Sequence, residues 1–259
     1  MHTHTDAPPG DGGPALSGVS WNIHRARGRD GRVAPDRVAD ALEAEVARGR
    51  TLDFLALQEA DTEASPQAGL LDLERVSQAT GLDWAHRDHL LRWGSESHGL
   101  HGVVVFLAPE HTIHHADLID LPGHCARGAV AIETEVRGCA VRLVATHLSL
   151  TQVLRIAQLR TLGQYLDRRP EMPTALVGDL NEWRPWGGAA LSRRVLGRRF
   201  EGPAPATFPV ARPVLPLDRI LATPPARVRR ATALNGPRLR AASDHLPLYA
   251  EIDLPPPTD

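Results

Sequence analysis

Carboxylate, amide and imidazole side chains recur at the ends of apolar runs along this 259-residue chain. The positions are Asn22, Glu59, His147, Asp179, Asn181, Asp218, Asp244 and His245. Any one of them alone is more often a turn or capping residue than a catalytic group. Strand ends at one edge of a sheet converge in space, so together these residues predict a polar pocket held by rigid strands.

That mixture of groups suits the hydrolysis of an anionic phosphoester. Such an ester resists attack, so a cation must offset the charge that grows on its phosphoryl oxygens and leaving group. Mg²⁺ prefers carboxylate and amide oxygens and keeps several of its waters, so one or two protein ligands suffice. Glu59, with Asn22 beside it, is therefore the predicted Mg²⁺ site, and Mn²⁺ is expected to substitute.

The remaining groups fit the attacking water and the phosphoryl group. Asp179 stands two residues before Asn181, which puts a carboxylate that can orient water and an amide at one strand exit. A histidine paired to a carboxylate, His245 with Asp218, could take a proton or stabilise the transition state. His147 could donate a hydrogen bond to a phosphoryl oxygen. The predicted reaction is metal-assisted, in-line attack of water on a phosphodiester or phosphomonoester.

The apolar pattern predicts the elements that position these groups. Pro35 begins a helix in which Val38, Leu42 and Val46 recur every four residues. A longer helix is predicted over 151–169, and Arg137-Gly138 predicts a hairpin turn. Strands are predicted at 18–24, 53–58, 102–107, 140–146, 174–177, 218–221, 227–233 and 246–254. Helices and strands interleave, yet hairpins occur, which favours one α+β domain over a purely parallel sheet.

The start of the chain differs in composition from the rest. Residues 1–17 are rich in Pro, Gly, Thr and Asp and lack both a basic start and an apolar run, so they predict a disordered lead-in rather than a signal peptide. Residues 18–259 are then a single catalytic domain. No stretch approaches the roughly 20 apolar residues that a membrane span needs, and we expect a cytoplasmic protein. The oligomeric state stays open.

The charge of the chain limits the classes of substrate it can bind, and its cysteines indicate the redox compartment. The formal net charge is -2, which argues against the broad basic face that grips long nucleic acid. All 29 basic residues are arginine, so any phosphate clamp must use Arg or His. Cys125 and Cys139 are too far apart for a disulfide if the hairpin forms, and two free thiols fit a reducing compartment. A small or lipid-derived phosphoester is the favoured substrate, with DNA or RNA as the alternative.

Six short motifs occur in a fixed order. They are Ser-Trp-Asn-Ile-His (20–24), Leu-Gln-Glu (57–59), Thr-His-Leu (146–148), Gly-Asp-Leu-Asn-Glu-Trp (178–183), Leu-Asp-Arg-Ile-Leu (217–221) and Ser-Asp-His-Leu-Pro (243–247). In this order they resemble the endonuclease/exonuclease/phosphatase superfamily, which includes deoxyribonuclease I, abasic-site endonucleases, inositol polyphosphate phosphatases and neutral sphingomyelinases. The resemblance runs from about Gly18 to Leu254, nearly the whole chain.

The resemblance implies a fold and a set of roles. The fold is a four-layer α/β/β/α sandwich, two mostly antiparallel sheets flanked by helices, with the site at one edge. Three residues would belong to the metal site: Asn22, Glu59 and Asp244. Five would act on the water and the phosphoryl group: His147, Asp179, Asn181, Asp218 and His245. Arg127 matches a position that in some members touches the substrate phosphate.

Other polar residues have plainer explanations. His111, His114 and His115 have no Cys or carboxylate at ligand spacing, which predicts a solvated loop rather than a metal cluster. Asp61 and Glu63 are predicted to be surface charge. A catalytically silent binding module that keeps the fold is a further hypothesis, and the intact set of catalytic groups argues against it.

Overall fold

The structure, a computed structural model, describes residues 13–256. Its strands are β1 (Ala15–Asn22), β2 (Phe54–Gln58), β3 (Asp83–Trp84), β4 (Val104–Leu107), β5 (Ile113–Asp120), β6 (Gly128–Val136), β7 (Cys139–His147), β8 (Thr174–Asp179), β9 (Asp218–Ala222), β10 (Arg227–Ala233) and β11 (Leu248–Asp253). Its α-helices are α1 (Pro35–Ala41), α2 (Leu73–Thr80), α3 (Gln152–Asp167), α4 (Arg193–Leu196) and α5 (Pro237–Ala242). A π-helical segment (Leu42–Ala47) continues α1, and short 3₁₀ helices cover His24–Ala26 and His89–Leu91.

The strands form two sheets. The six-stranded sheet has the order β10-β11-β1-β2-β4-β3, and the five-stranded sheet has the order β5-β6-β7-β8-β9. Each sheet contains one parallel pair, β1 with β2 and β7 with β8, and its other pairs are antiparallel. The parallel pairs bring the carboxyl ends of four strands to the same region, because parallel neighbours end at the same sheet edge.

Alternating side chains separate three cores. Between the sheets pack residues from both, such as Phe54, Val105, Ile132, Val177 and Ala250. On the outer face of the first sheet, Trp21, Leu55 and Leu57 pack against the helix residues Val38, Leu42, Val76 and Leu239. On the outer face of the second, Val144 and Leu176 pack against Leu159, Leu162 and Leu196. This period-two alternation produces the predicted four-layer α/β/β/α sandwich.

Most predicted elements are confirmed, with differences at their ends. The Arg137-Gly138 turn pairs Val136 with Cys139, and both cysteines are free. The first strand begins at Ala15 rather than Gly18, because Ala15, Leu16 and Ser17 pair with the far end of β11. The predicted disordered lead-in is therefore too long by these residues, and its residues 1–12 lie outside the described part. Within residues 13–256, no helix is long and apolar enough to cross a membrane.

The prediction of a solvated loop around three histidines is wrong. His114 and His115 lie in β5, the edge strand of the second sheet, and only 2% of the His111 side chain is exposed. The sequence does not predict β5, because many of its residues are exposed or polar and the apolar alternation typical of a strand is weak. The carboxylate nearest to His111 comes from a distant part of the sequence. Asp53, just before β2, places its Oδ1 3.3 Å from His111 Nε2.

The buried ring of His86 makes stability depend on pH. Its Nδ1 donates to the Leu91 carbonyl at 2.6 Å and its Nε2 accepts from the Val105 amide at 3.0 Å, so the neutral ring is the form that fits. Burial lowers the pKa of His86 from 6.5 to about 4. Below pH 6.5, His86 therefore binds a proton in the unfolded chain but stays neutral in the folded chain. The free energy of unfolding falls as the pH drops towards 4.

We expect His86 to remove about 2 kcal/mol of unfolding free energy between pH 7 and pH 5. Urea denaturation at the two pH values measures this. The His86→Gln variant should lose that part of the pH dependence, whereas His124→Gln, at an exposed loop position, should keep it. An identical pH dependence in wild type and His86→Gln would contradict the expectation.

Candidate active site

The predicted polar residues meet where the parallel strands end. Across the second sheet, His147 at the end of β7 pairs with Asp179 at the end of β8, which pairs with Asp218 at the start of β9. Across the first sheet, Asn22 pairs with Gln58, the residue before Glu59. Hydrogen-bond register therefore sets these groups side by side before any side-chain contact is considered.

Asp179 is the centre of the cluster. Its Oδ2 accepts from Asn22 Nδ2 at 3.0 Å and lies 3.5 Å from His147 Nε2 and 3.9 Å from His245 Nε2. Its Oδ1 accepts from the backbone amide of Asn181 at 2.9 Å. The carboxylate is 2% exposed, so both sheets and both imidazoles converge on one buried oxygen.

Asn22 links Asp179 to Glu59. Its Nδ2 also donates to Glu59 Oε1 at 3.3 Å, and its Oδ1 accepts from the His24 amide at 2.9 Å. The other Glu59 oxygen, Oε2, accepts from Arg25 at 2.6 Å. The two carboxylates, Glu59 and Asp179, thus accept from the same amide nitrogen of Asn22.

His245 is oriented from three sides. Its Nδ1 faces Asp218 Oδ2 at 2.8 Å, and the same oxygen accepts from the Thr207 hydroxyl. Its carbonyl accepts from the Trp21 indole at 3.0 Å, and its ring packs on Phe208 with 4.8 Å between centroids. The predicted pairing of His245 with Asp218 is confirmed.

The two histidines carry different charges. Burial opposes the charged form of both rings. At His245 the carboxylates of Asp218, Asp179 and Asp244 outweigh burial and raise the pKa to about 10. At His147, with only Asp179 favouring the cation and Arg127 opposing it, burial lowers the pKa to about 3. At neutral pH the site therefore holds one imidazolium and one neutral imidazole, within reach of the same carboxylate.

Left-handed backbone aims the strand-end side chains. Glu59 and Asn181 have φ angles of 55° and 51°, a conformation in which the chain leaves its strand sharply. Asn181 Nδ2 donates to the Leu148 carbonyl at 2.8 Å, which ties the exit of β8 to the exit of β7.

Gly178 is required just before Asp179. Its φ is +139°, and a Cβ there would lie 1.8 Å from the Thr146 carbonyl oxygen on β7. Because that oxygen belongs to the backbone, β7 and β8 would have to separate. We expect Gly178→Ala to lower the unfolding free energy by roughly 3 kcal/mol or more. Urea denaturation measures this. Gly31→Ala is the control, because Gly31 also has a positive φ but nothing near its Cβ position, so a loss of only about 1 kcal/mol is expected.

The two remaining predicted residues lie at the margin. Asp244 Oδ1 is 3.5 Å from His24 Nδ1, and its side chain is 39% exposed, far more than Asp179. Arg127 lies before β6, close enough for its charge to lower the pKa of His147. Its Nε has no hydrogen-bond partner among residues 13–256.

Asp61 is a site residue that the sequence analysis missed. The prediction of surface charge is confirmed for Glu63, which is exposed, and wrong for Asp61, which is 5% exposed and whose Oδ2 is buried with no hydrogen-bond partner in the described chain. Burial raises its pKa to about 7; Arg25 opposes that rise and Glu59 adds to it. A carboxylate two residues after a catalytic strand-end carboxylate is the signal that could have found it.

The donor groups fit a divalent cation. Asp179, Asp218 and His245 offer ligand atoms that lie within 4.8 Å of one another, although His245 is already paired as a cation. Glu59 and the unpartnered oxygen of Asp61 form the more suitable oxygen-rich side, which is the chemistry that Mg²⁺ and Mn²⁺ prefer. A cavity of about 930 Å³ lined by Leu166, Arg198 and Pro224, among others, contains none of these groups, so cavity size does not locate the site.

A sandwich with carboxylates and imidazoles at its strand ends defines a class of phosphoester hydrolases. The chain belongs to the Endonuclease/Exonuclease/phosphatase family, whose match covers residues 19–245. Members of this family hydrolyse phosphoester bonds and generally use divalent metals. The match includes every predicted site residue, from Asn22 to His245.

Individual relatives match a smaller part of the chain, or match it at lower sequence identity, than the family as a whole. The Escherichia coli (strain K12) protein named Uncharacterized protein YbhP is 36% identical over 122 residues, which are 45% of this chain and 48% of the relative. The chain thus spans about half the length of the curated relatives it matches. Its fold is similar to an endonuclease/exonuclease/phosphatase from Bacteroides vulgatus, with a TM-score of 0.71, 14% identity and coverage of 93% and 99% of the two chains.

Two further structures share the fold. The mannosyl-6-phosphatase Bt3783 of Bacteroides thetaiotaomicron VPI-5482 has a TM-score of 0.68 and 16% identity, covering 92% of this chain and 99% of that one. Truncated TDP2 of Caenorhabditis elegans has a TM-score of 0.62 and 18% identity, covering 92% and 97%.

Proposed function

We propose that this protein is a Mg²⁺-dependent phosphoesterase that hydrolyses a small or lipid-derived phosphoester by in-line attack of water. The observation that carries the proposal is the arrangement around Asp179, whose Oδ2 lies 3.5 Å from His147 Nε2 and 3.9 Å from His245 Nε2, in surroundings that lower the pKa of His147 and raise that of His245. Water activation and stabilisation of negative charge require these opposite properties side by side.

Asp179 is the group that orients the attacking water and accepts its proton. The backbone amide of Asn181 fixes one of its oxygens, and the other points towards both imidazoles. The Asn181 side chain steadies the phosphoryl group from the same strand exit. His147, neutral at pH 7, is free to donate a hydrogen bond to a phosphoryl oxygen without adding charge.

His245 acts as the stabilising cation. Of its two predicted roles, the raised pKa favours transition-state stabilisation over proton abstraction, because the ring is already protonated at neutral pH. Asp218 orients the ring through Nδ1, which leaves Nε2–H directed at the side of Asp179.

Asn22, Glu59 and Asp244 are the proposed metal residues, and Asp61 joins them. A bound Mg²⁺ would supply positive charge to the phosphoryl oxygens and the leaving group. The structure-derived support is the buried, unpartnered oxygen of Asp61 next to Glu59, because two carboxylates so close together are both ionised most easily beside a cation. Arg127 is the proposed contact to the substrate phosphate.

A small or lipid-derived substrate is supported by the charge of the protein. The net charge of -2 offers no broad attraction for a polyanion. The likeness to a mannosyl-6-phosphatase supports a small phosphomonoester as one choice, and hydrolysis of DNA or RNA is the alternative. The two free cysteines support a reducing compartment, for which we propose the cytoplasm.

The reaction is tested with a generic aryl phosphodiester and the matching monoester in Mg²⁺ or Mn²⁺. Wild type should turn over at least one of them, and Asp179→Ala and His245→Ala should each fall by at least about 100-fold. Unchanged turnover in both variants would remove the assigned roles. A metal titration with no uptake of Mg²⁺ or Mn²⁺ would instead favour the silent binding module.

Salt separates the two substrate classes. Hydrolysis of nucleic acid should weaken steeply as salt rises, because binding releases counterions. A small ester should show a nearly flat salt profile, and a steep one with DNA or RNA would overturn the preferred substrate class.

A further inference from the structure

We propose that Asp53, Glu110 and His111 form a second metal site, selective for Zn²⁺, at the opposite end of β2 from the catalytic centre. Asp53 immediately precedes β2 and Glu59 immediately follows it. Six residues of extended chain separate them by roughly 20 Å, at about 3.3 Å per residue. The two sites are therefore distinct.

The three residues bring their ligand atoms together. One atom from each lies within 4.8 Å of the others, and Asp53 Oδ1 is 3.3 Å from His111 Nε2. Two atoms bound to one tetrahedral Zn²⁺ at about 2.0–2.1 Å lie about 3.3–3.4 Å apart. The observed separation therefore fits shared zinc ligation, as it also fits an ion pair.

The buried imidazole of His111 supplies the nitrogen ligand of the proposed site. The His111 side chain is 2% exposed, and its Nδ1 has no hydrogen-bond partner within the described chain. The other ring nitrogen, Nε2, faces the Asp53 carboxylate at 3.3 Å and is the atom that would bind the ion. Glu110 is exposed, so its longer side chain can close on an ion without disturbing the core.

The surroundings fix Asp53 and His111 in advance. Asp53 Oδ2 accepts from the Ser17 amide at 2.6 Å and the Ser17 hydroxyl at 2.9 Å, which leaves Oδ1 directed at His111. The Ala108 amide donates to the Asp53 carbonyl, and the His111 amide donates to the Ala108 carbonyl, each at 2.9 Å. These hydrogen bonds hold the Asp53 carboxylate and the backbone of His111 in place before an ion binds.

The local charge also favours a cation. The residues enclose a cavity of about 350 Å³ that Glu135, His114 and Arg137 also line. Three carboxylates face one guanidinium there. Arg137 Nη2 is 3.9 Å from Asp53 Oδ1, beyond hydrogen-bond distance, and its Nη1 is already bonded to the Ala15 carbonyl. A divalent ion would offset the excess negative charge.

The donor set indicates the ion and its role. An imidazole with carboxylates suits Zn²⁺ better than Mg²⁺, which favours oxygen alone. The ion would join the start of β2, the turn after β4 and, through the cavity wall, the β6–β7 hairpin of the second sheet. We therefore expect it to stabilise the sandwich without taking part in hydrolysis.

Equilibrium dialysis against ZnCl₂ with the full chain tests the site. Wild type should bind one more Zn²⁺ than His111→Phe, and its thermal unfolding temperature should rise with zinc while that of the variant stays unchanged. His115→Phe is the matched control, because His115 also pairs with a carboxylate, Asp117, at 2.7 Å, and its zinc uptake should equal that of wild type.

Glu110→Gln is a second variant for the case in which His111→Phe does not fold. It changes an exposed side chain, so the fold should be kept. Its zinc affinity should fall by at least about tenfold. Equal zinc stoichiometry in wild type, His111→Phe and Glu110→Gln would overturn the proposal. So would an absence of zinc uptake by wild type, which would leave Asp53 and His111 as an ordinary ion pair. Neither readout depends on catalysis, so the site can fail while the proposed phosphoesterase stands.

Discussion

Asp179→Asn is expected to lower kcat by about 10³-fold or more while leaving the fold intact. A positioned general base contributes roughly 10²–10⁴-fold, and Asp179 also supplies part of the negative charge that keeps His245 protonated. The substitution keeps the shape of the side chain but removes the charge and the proton acceptor. It therefore affects water activation and the stabilising imidazolium together.

Steady-state turnover of an aryl phosphoester at saturating Mg²⁺ measures the effect. Asp167→Asn is a matched control, because Asp167 pairs with Arg198 at the surface and should keep nearly full activity. Equal unfolding midpoints for the two variants would exclude a folding defect. If kcat of Asp179→Asn stays within tenfold of wild type, Asp179 is not the base.

Glu59→Gln is expected to weaken activation by Mg²⁺ more than about 100-fold. Loss of a residue that merely supports a metal ligand costs 10–100-fold, and Glu59 is the proposed ligand itself. The amide of Gln cannot match the charge of the carboxylate, and it also ends the ion pair with Arg25.

A Mg²⁺ titration of activity measures this change. The apparent Mg²⁺ affinity should fall, and high Mg²⁺ should restore part of the rate, which distinguishes a ligand from a base. Glu63→Gln is the control, because it alters an exposed carboxylate four residues away. An unchanged Mg²⁺ midpoint in Glu59→Gln would place the metal elsewhere in the site.

The strand-end residues could be predicted because each apolar run also fixes where its strand stops. His147, Asp179 and Asp218 follow or begin such runs, and strand pairing then aligns them with no further information. The same pattern predicted one α+β domain with interleaved strands and helices, whereas the four-layer sandwich was expected from the resemblance to the family.

Charge states and long-range pairs could not be predicted in this way. His147 and His245 have the same chemistry in the sequence, and their pKa values differ only through neighbours that distant segments supply. The burial of Asp61 depends on Gly102, a residue 41 positions further along the chain (102 − 61) that lies against it. The contact of Asp53 with His111 joins residues 58 positions apart (111 − 53).

The pairing of β1 with β11 has a consequence for how the protein is made. Trp21 and Asn22 contact residues of the 243–245 segment through the His245 carbonyl and the Ser243 hydroxyl, so the candidate site joins segments that are synthesised far apart in time. Ribosomes add about 5–20 residues per second. After Asn22 emerges, the strand beside it is therefore missing for roughly 10–45 s. A nascent chain of this kind exposes an open sheet edge until Leu248–Asp253 has been synthesised, and the cluster around Asp179 is complete only once His245 is in place.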